Sequence, residues 1–286
     1  MRIKRRPTGL KFSSKHVFGV LLRKNPDICK RFIEVILNVK IRELRIVQDE
    51  RTIEPGIDEH GIRVDVYVED DANTVYDVEM QTTDKPHLPK RARYYQSAID
   101  TDLLSPSRDY TLLRKTIVMF VCTFDPFHRD LPVYHFQHRS SEDSSLILDD
   151  AAEIVFVNAS YVGELAEGEL RALLRYIMDG SSSSEFTSKI AVAIRRLNHS
   201  EEGRRLMTLE MVMREEKQIA REEGREEGRE EGRVEGREEG REEGRRMLVF
   251  ELLEVGDLSL ELAAKCLNLS VEEVEKEFES YKAQKK

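Results

Sequence analysis

The order of apolar and polar positions divides the chain into segments. Over residues 14–38, Phe18, Leu21, Leu22, Ile28, Phe32, Ile33, Ile36 and Leu37 recur at three- and four-residue spacing, which predicts helix. Pro26 and Asp27 interrupt the pattern and predict two helices, with Pro26 near the start of the second. Residues 41–47 (IRELRIV) alternate and predict a strand. Residues 62–69 (IRVDVYVE) and 74–81 (TVYDVEMQ) alternate as well, with the turn signal Asp71-Ala72-Asn73 between them. Residues 86–104 predict a helix. Residues 116–124 (TIVMFVCTF) are a continuous run of β-formers, the pattern of a central strand covered on both faces. Residues 133–138 and 154–158 predict further strands. Strands followed by covering helices imply an α/β core.

From residue 169 onward the pattern is helical. Gly180 and Ser181 to Ser184 form a short linker, and Phe186, Ile190, Ala193, Ile194 and Leu197 mark one helix face. Residues 221–244 are six four-residue units of the type REEG. Residues 258–281 predict two short helices, the second opened by a capping box of Ser270 and Glu273. The segments group as a core over 10–180, a helical extension over 185–220, the repeat over 221–245 and a small helical module over 246–286.

The repeat is poor helix material. Its period stacks like charges four residues apart, offset in part by Glu–Arg pairs three apart worth a few tenths of a kcal/mol each. Each Gly costs about 1 kcal/mol against Ala, and no apolar seam specifies a coiled coil. The segment reads as a spacer, or as a helix ordered by pairing with another chain. Association of copies through the C-terminal helices follows from the second reading.

Charge narrows the function classes. The net charge is -9, with 7 Arg and 11 Glu in 221–245 and 6 basic against 9 acidic residues in 246–286. The remaining 220 residues are close to neutral, at 33 basic and 35 acidic. A protein that coats DNA would be basic, so any nucleic-acid contact is confined to a small groove. The longest purely apolar run, Ile117 to Cys122, is far short of the about 20 residues a membrane helix needs. The basic N-terminus (MRIKRRPTGLKFSS) leads into no apolar h-region. Cys29, Cys122 and Cys266 are odd in number and far apart, as suits reduced thiols in a cytoplasmic protein. His135 and His138 point to opposite faces of a strand and make no ligand pair.

The hairpin at 62–81 carries the candidate chemistry. Along the first strand, Arg63, Asp65, Tyr67 and Glu69 share one face, and Ile62, Val64, Val66 and Val68 the other. Asp77, Glu79 and Gln81 share a face of the second. A three-residue loop ending in Asn73, which tolerates the left-handed region, pairs Asp70 with Thr74 and hence Asp65 with Glu79. A two-residue loop would put Asp65 opposite Val78 instead. Opposed carboxylates repel, by about 4 kcal/mol at about 4 Å and an effective dielectric near 20. If the face is partly buried, a shared proton, a nearby Arg or a divalent cation must offset this. One or two carboxylates with several waters describe a magnesium site.

The run GIRVDVYVEDDANTVYDVEMQ, followed by KRARYYQSAID, resembles the PD-(D/E)XK nuclease-like family of transposon-associated proteins, which includes the Rpn recombination-promoting nucleases. Asp65, Glu79 and Gln81 match the family's Asp and Glu-x-Gln, and Arg91 or Arg93 with Tyr94 and Tyr95 match its helix. The segment FDPF at 124–127 and the REEG-type tail extend the likeness over about residues 12–250. Val64 precedes Asp65 where the nominal motif has Pro, and Gln81 stands where the wider superfamily has Lys. No acid occupies residues 14–18 (Ser-Lys-His-Val-Phe) of the first helix; Glu34 on the second is the nearest candidate.

The resemblance implies a restriction-endonuclease-like mixed sheet flanked by helices, with a helical C-terminal extension. It implies a Mg2+-dependent DNA endonuclease linked to transposition or recombination. Asp65, Glu79 and the Met80 carbonyl would hold the ion, Gln81 would orient the water, and Arg91, Arg93 and Tyr95 would meet the nucleic acid. Two alternatives stay open: an RNA-directed nuclease, and a catalytically inactive relative that binds partners through its helical tail.

Overall fold

A computed structural model of the chain describes residues 9–46, 52–53, 62–104 and 107–284. The basic residues 1–8 and Val47, the end of the first predicted strand, lie outside these. The chain divides into two compact units, residues 1–210 and 211–286.

In the first unit the 14–38 pattern folds as α1 (Lys15–Lys24) and α2 (Pro26–Leu37), broken at Asn25 as Pro26 predicts. Six strands form one mixed sheet: β1 (Leu44–Ile46), β4 (Val66–Asp70), β5 (Val75–Gln81), β6 (Thr116–Cys122), β8 (Ala152–Asn158) and β7 (Val133–Phe136), in that spatial order. β5, β6 and β8 run parallel; the others pair antiparallel. β2 (Thr52–Ile53) and β3 (Ile62–Arg63) make a separate two-stranded ribbon.

The sheet lies between two apolar layers. On one face, Val66, Val68, Val78, Met80, Met119 and Val157 pack with α1 and α2, and with α4 (Glu169–Asp179) and α5 (Glu185–Asn198). On the other, Tyr67, Val75, Val118, Phe120 and Phe156 pack under α3 (Leu88–Leu103). β6 is buried at every position because both layers meet it. The mixed sheet flanked by helices is the fold class the sequence predicts.

The hairpin register is the one a three-residue loop gives. Tyr67 pairs with Asp77 and Glu69 with Val75. The Asp70 N–H donates to the Thr74 carbonyl at 3.0 Å, and Asn73 takes φ 63°. Asp70 Oδ1 accepts from the amides of Ala72 and Thr74, at 2.9 and 2.8 Å.

The predicted uninterrupted strand over 62–69 requires correction. The chain leaves the ladder at Val64 and Asp65, between β3 and β4. Ile62 and Val64 pack with Tyr67 on the α3 side, whereas Val66 and Val68 face α1 and α2. The four therefore do not share a face. The physical reason lies in the hydrogen bonds of Asp65, described below.

α6 runs from Glu201 to Val255 as 55 helical residues. It begins in the first unit, where Leu206 joins the core. The second unit contains the rest of α6, with α7 (Leu260–Leu267) and α8 (Val271–Gln284). Val249, Phe250, Ala263, Ala264, Val274 and Phe278 bury a small core there. Ser270 and Glu273 cap α8 reciprocally, with bonds of 2.8 and 3.2 Å between side chain and amide. The repeat lies within α6 and is helical rather than an irregular spacer, with residues 211–248 exposed throughout. Pairs such as Glu230–Arg233, at 2.6 Å, supply its local support.

Among the described residues, no helix is long and apolar enough to cross a membrane. A Cβ added at Gly224, Gly228, Gly232, Gly236, Gly240 or Gly244 meets nothing within 4 Å. Changing one of these to Ala is expected to stabilise the helix by about 1 kcal/mol, read as helical ellipticity persisting to higher temperature. Substituting several should raise it stepwise.

Candidate active site

Asp65 sits where the β4–β5 ladder stops. Asp70 and Thr74 form a hydrogen-bonded pair, so Val68–Tyr76 and Val66–Val78 follow in the same class, and Val64–Met80 would come next. Instead the Asp65 carboxylate takes the place of a strand carbonyl: Oδ2 accepts the Met80 N–H at 3.2 Å. The Asp65 N–H in turn donates to Glu79 Oε1 at 2.7 Å. Two side chains thus substitute for ladder bonds, and the backbone turns out of the sheet at this residue. The Asp65 carbonyl accepts from Arg23 Nη1 of α1. Gly19 permits the approach, since a Cβ there would stand 3.2 Å from that carbonyl.

Anchoring one oxygen of each acid leaves the other directed at a common point. Asp65 Oδ1 lies 3.1 Å and Glu79 Oε2 3.6 Å from Lys15 Nζ, at the start of α1. From the opposite layer, Arg91 of α3 donates to Glu79 Oε2 at 3.1 Å and to Gln81 Oε1 at 2.9 Å. Its guanidinium lies 5.1 Å from the ring centroid of Tyr95 and 5.0 Å from that of Phe120. Gln81 Nε2 donates to the Thr83 carbonyl at 2.6 Å.

Burial sets the electrostatics. Glu79 is wholly buried, and removal from water, then the Asp65 charge, push its carboxyl up to about 7. Burial raises Asp65 too, against the pull of Lys15. Asp77, two residues back on β5, is wholly inaccessible, and neither of its oxygens has a hydrogen-bond partner. Burial first, then Glu79 and Asp65, push its carboxyl well above the usual carboxylate range, toward the neutral form. Burial alone would lower Lys15, but Glu79 and Asp65 outweigh it and hold the ammonium charged.

The structure brings together Asp65, Glu79, Met80, Gln81 and Arg91. Tyr95 is buried beneath Arg91, and Tyr94 is the exposed tyrosine of the pair, at 40%. Arg93 points elsewhere, lining a cavity of 520 Å³ with Phe127, Phe136 and Phe156. Glu34 is committed to the Ile41 amide at 3.0 Å and to Arg31 at 3.2 Å. Sequence reasoning missed Lys15, although it stands in the Ser-Lys-His-Val-Phe segment searched for an acid. Its signal was a cation at a helix start, where the helix dipole disfavours one.

The sequence matches the family described as PD-(D/E)XK nuclease family transposase over residues 10–229. The chain belongs to that family. No curated protein and no solved structure matches it. The family match spans the sheet, both helical layers and the first part of α6. PD-(D/E)XK nucleases usually use divalent metals, and the hairpin's donor chemistry fits such an ion. Two hard carboxylate oxygens converge on a point already held by a cation, and the Met80 carbonyl turns to the same side as its N–H. Among the described residues, no three acids, histidines or cysteines gather to hold a metal. An ion here would take two carboxylates and keep several waters.

The raised Glu79 pKa fixes the sign of a pH effect. The folded protein holds a proton that an unfolded glutamate releases near 4.5, so stability falls as pH rises from about 4.5 to about 7. Urea unfolding across that range should show the decline, and Glu79→Gln should make it shallower. Asp77→Val, which removes an unpartnered buried carboxyl, is expected to raise stability by about 1–3 kcal/mol. Its denaturation midpoint checks this.

Proposed function

We propose that the protein is a Mg2+-dependent endodeoxyribonuclease acting in transposition or recombination. The observation that carries this reading is the convergence of Asp65 Oδ1 and Glu79 Oε2 on one cation-binding point. Asp65, Glu79 and the Met80 carbonyl would hold the ion. A divalent ion, when bound, supplies Lewis acidity toward the scissile phosphate and lowers the pKa of a water.

The protein's own groups do the rest. Reciprocal side-chain-to-amide bonds hold the two acids rigid, so little reorganisation accompanies the reaction. Gln81 has one N–H and one lone pair left after its bonds to Thr83 and Arg91, enough to orient a water but not to take its proton. Arg91 is occupied with the acids and steadies Glu79 rather than reading DNA. Exposed Lys85 and Lys90, at and before the start of α3, supply charge for the phosphate backbone, without sequence information. A patch this small on an acidic chain gives weak, salt-sensitive binding.

A second reading is favoured by one observation. Lys15 and Arg91 already neutralise the acids, so the site is electrostatically complete with no ion bound. This suits a catalytically idle member that works through its helical tail.

Nicking of supercoiled plasmid by purified protein decides between them. Cutting should require Mg2+, stop with chelator, and fall by about a hundredfold or more in Asp65→Ala. Equal cutting by wild type and Asp65→Ala would remove the assignment; no cutting by either favours the idle member. RNA of the same sequence in parallel reports the substrate class.

A further inference from the structure

We infer that Lys15 is the resident counter-ion of the Asp65–Glu79 pair, and that a divalent cation enters only by displacing its ammonium. The inference rests on the metal site proposed above and deepens it.

Lys15 Nζ stands 3.1 Å from Asp65 Oδ1 and 3.6 Å from Glu79 Oε2, the two oxygens not used to fasten the acids to each other's strands. Magnesium would bind such oxygens at about 2.1 Å. An ion touching both would fall within contact distance of the ammonium and repel its charge. The two cations therefore exclude each other.

The surroundings determine which partner moves. Glu79 is wholly buried and Asp65 nearly so, each accepting a hydrogen bond from a backbone N–H at its other oxygen. The Lys15 side chain is 42% exposed and hangs on a flexible four-carbon stem. The ammonium swings toward solvent while the acids stay. Its position at the first residue of α1 is unfavourable to the helix dipole, and Ser14 makes no side-chain cap there. The acids, not the helix, account for a cation at this place. Gln81 brings no charge of its own, so α1 supplies what the hairpin lacks.

Lys15 thus sets the affinity of the site for metal. Occupancy costs the loss of two ion pairs, and the site stays closed to cations at low metal concentration.

The test is isothermal titration of the full chain with MgCl2 and MnCl2, without DNA, alongside the nicking assay. Lys15→Met should bind Mg2+ about tenfold tighter or more, since one opposing charge is gone. Lys15→Arg, which keeps the charge, should bind as weakly as wild type. Adding Glu79→Gln to Lys15→Met should erase the gain. Lys15→Gln replaces Lys15→Met if the latter does not fold. Equal or weaker binding by Lys15→Met, or no binding by any variant, overturns the inference, as does Lys15→Arg tightening as far as Lys15→Met. If Lys15→Met gains affinity yet neither it nor wild type cuts DNA, the inference holds and the nuclease reading falls. If wild type cuts and Lys15→Met binds no tighter, the reverse is true.

Discussion

Three carboxyl groups, Asp65, Asp77 and Glu79, stand close together at a buried edge of the hairpin. Like charges in such a place repel strongly, and the fold around them answers that repulsion. Burial and the two neighbouring acids push the Asp77 carboxyl well above its ordinary range, toward the neutral form. Asp65 and Glu79 are met from both sides, by Lys15 from one helical layer and Arg91 from the other. Each acid also accepts a backbone amide from the neighbouring strand. Packing of α1 and α3 onto opposite faces is thus tied to the same residues that would carry chemistry.

This arrangement sets stability against function in a local way. A buried ion pair seldom exceeds an apolar replacement in net stability, and Asp77 contributes a desolvation cost with no hydrogen bond in return. A sheet designed only to fold would carry uncharged residues at 65, 77 and 79, as β6 does along its whole length. Asp65 and Glu79 engage the cations Lys15 and Arg91 instead, and the chain belongs to a nuclease family.

Much of this was legible in the letters of the chain. Pro26 divides the first two helices, the 116–124 run makes the central strand, and Asn73 fixes the hairpin register, because each depends on local geometry. That register holds as far as Val66–Val78; Asp65 and Glu79 meet beyond it, through side-chain-to-amide bonds rather than as a strand pair. The break at Val64 was not legible. Alternation over 62–69 is unbroken, and the break arises from bonds between Asp65 and the facing strand rather than from local preference. Lys15 was hidden for a similar reason: its meeting with the acids depends on how α1 docks, which no spacing along the chain encodes. Tyr95 and Arg91 matched the family's helix, but a one-dimensional pattern does not say that Arg91 turns inward over Tyr95. The helicity of the REEG array ran against the sum of its glycine costs, where cross-turn Glu–Arg contacts act in the opposite sense.

The turn at Asp71-Ala72-Asn73 sits at the far end of the hairpin from the acids, yet it decides where they aim. Alternation along β4 transmits its length, residue by residue, as far as Val66, next to Asp65. One residue more or fewer there would keep every acid in the text of the gene product while scattering them over both sides of the sheet. A search for the motif's letters would still succeed on such a protein, and the chemistry would be gone.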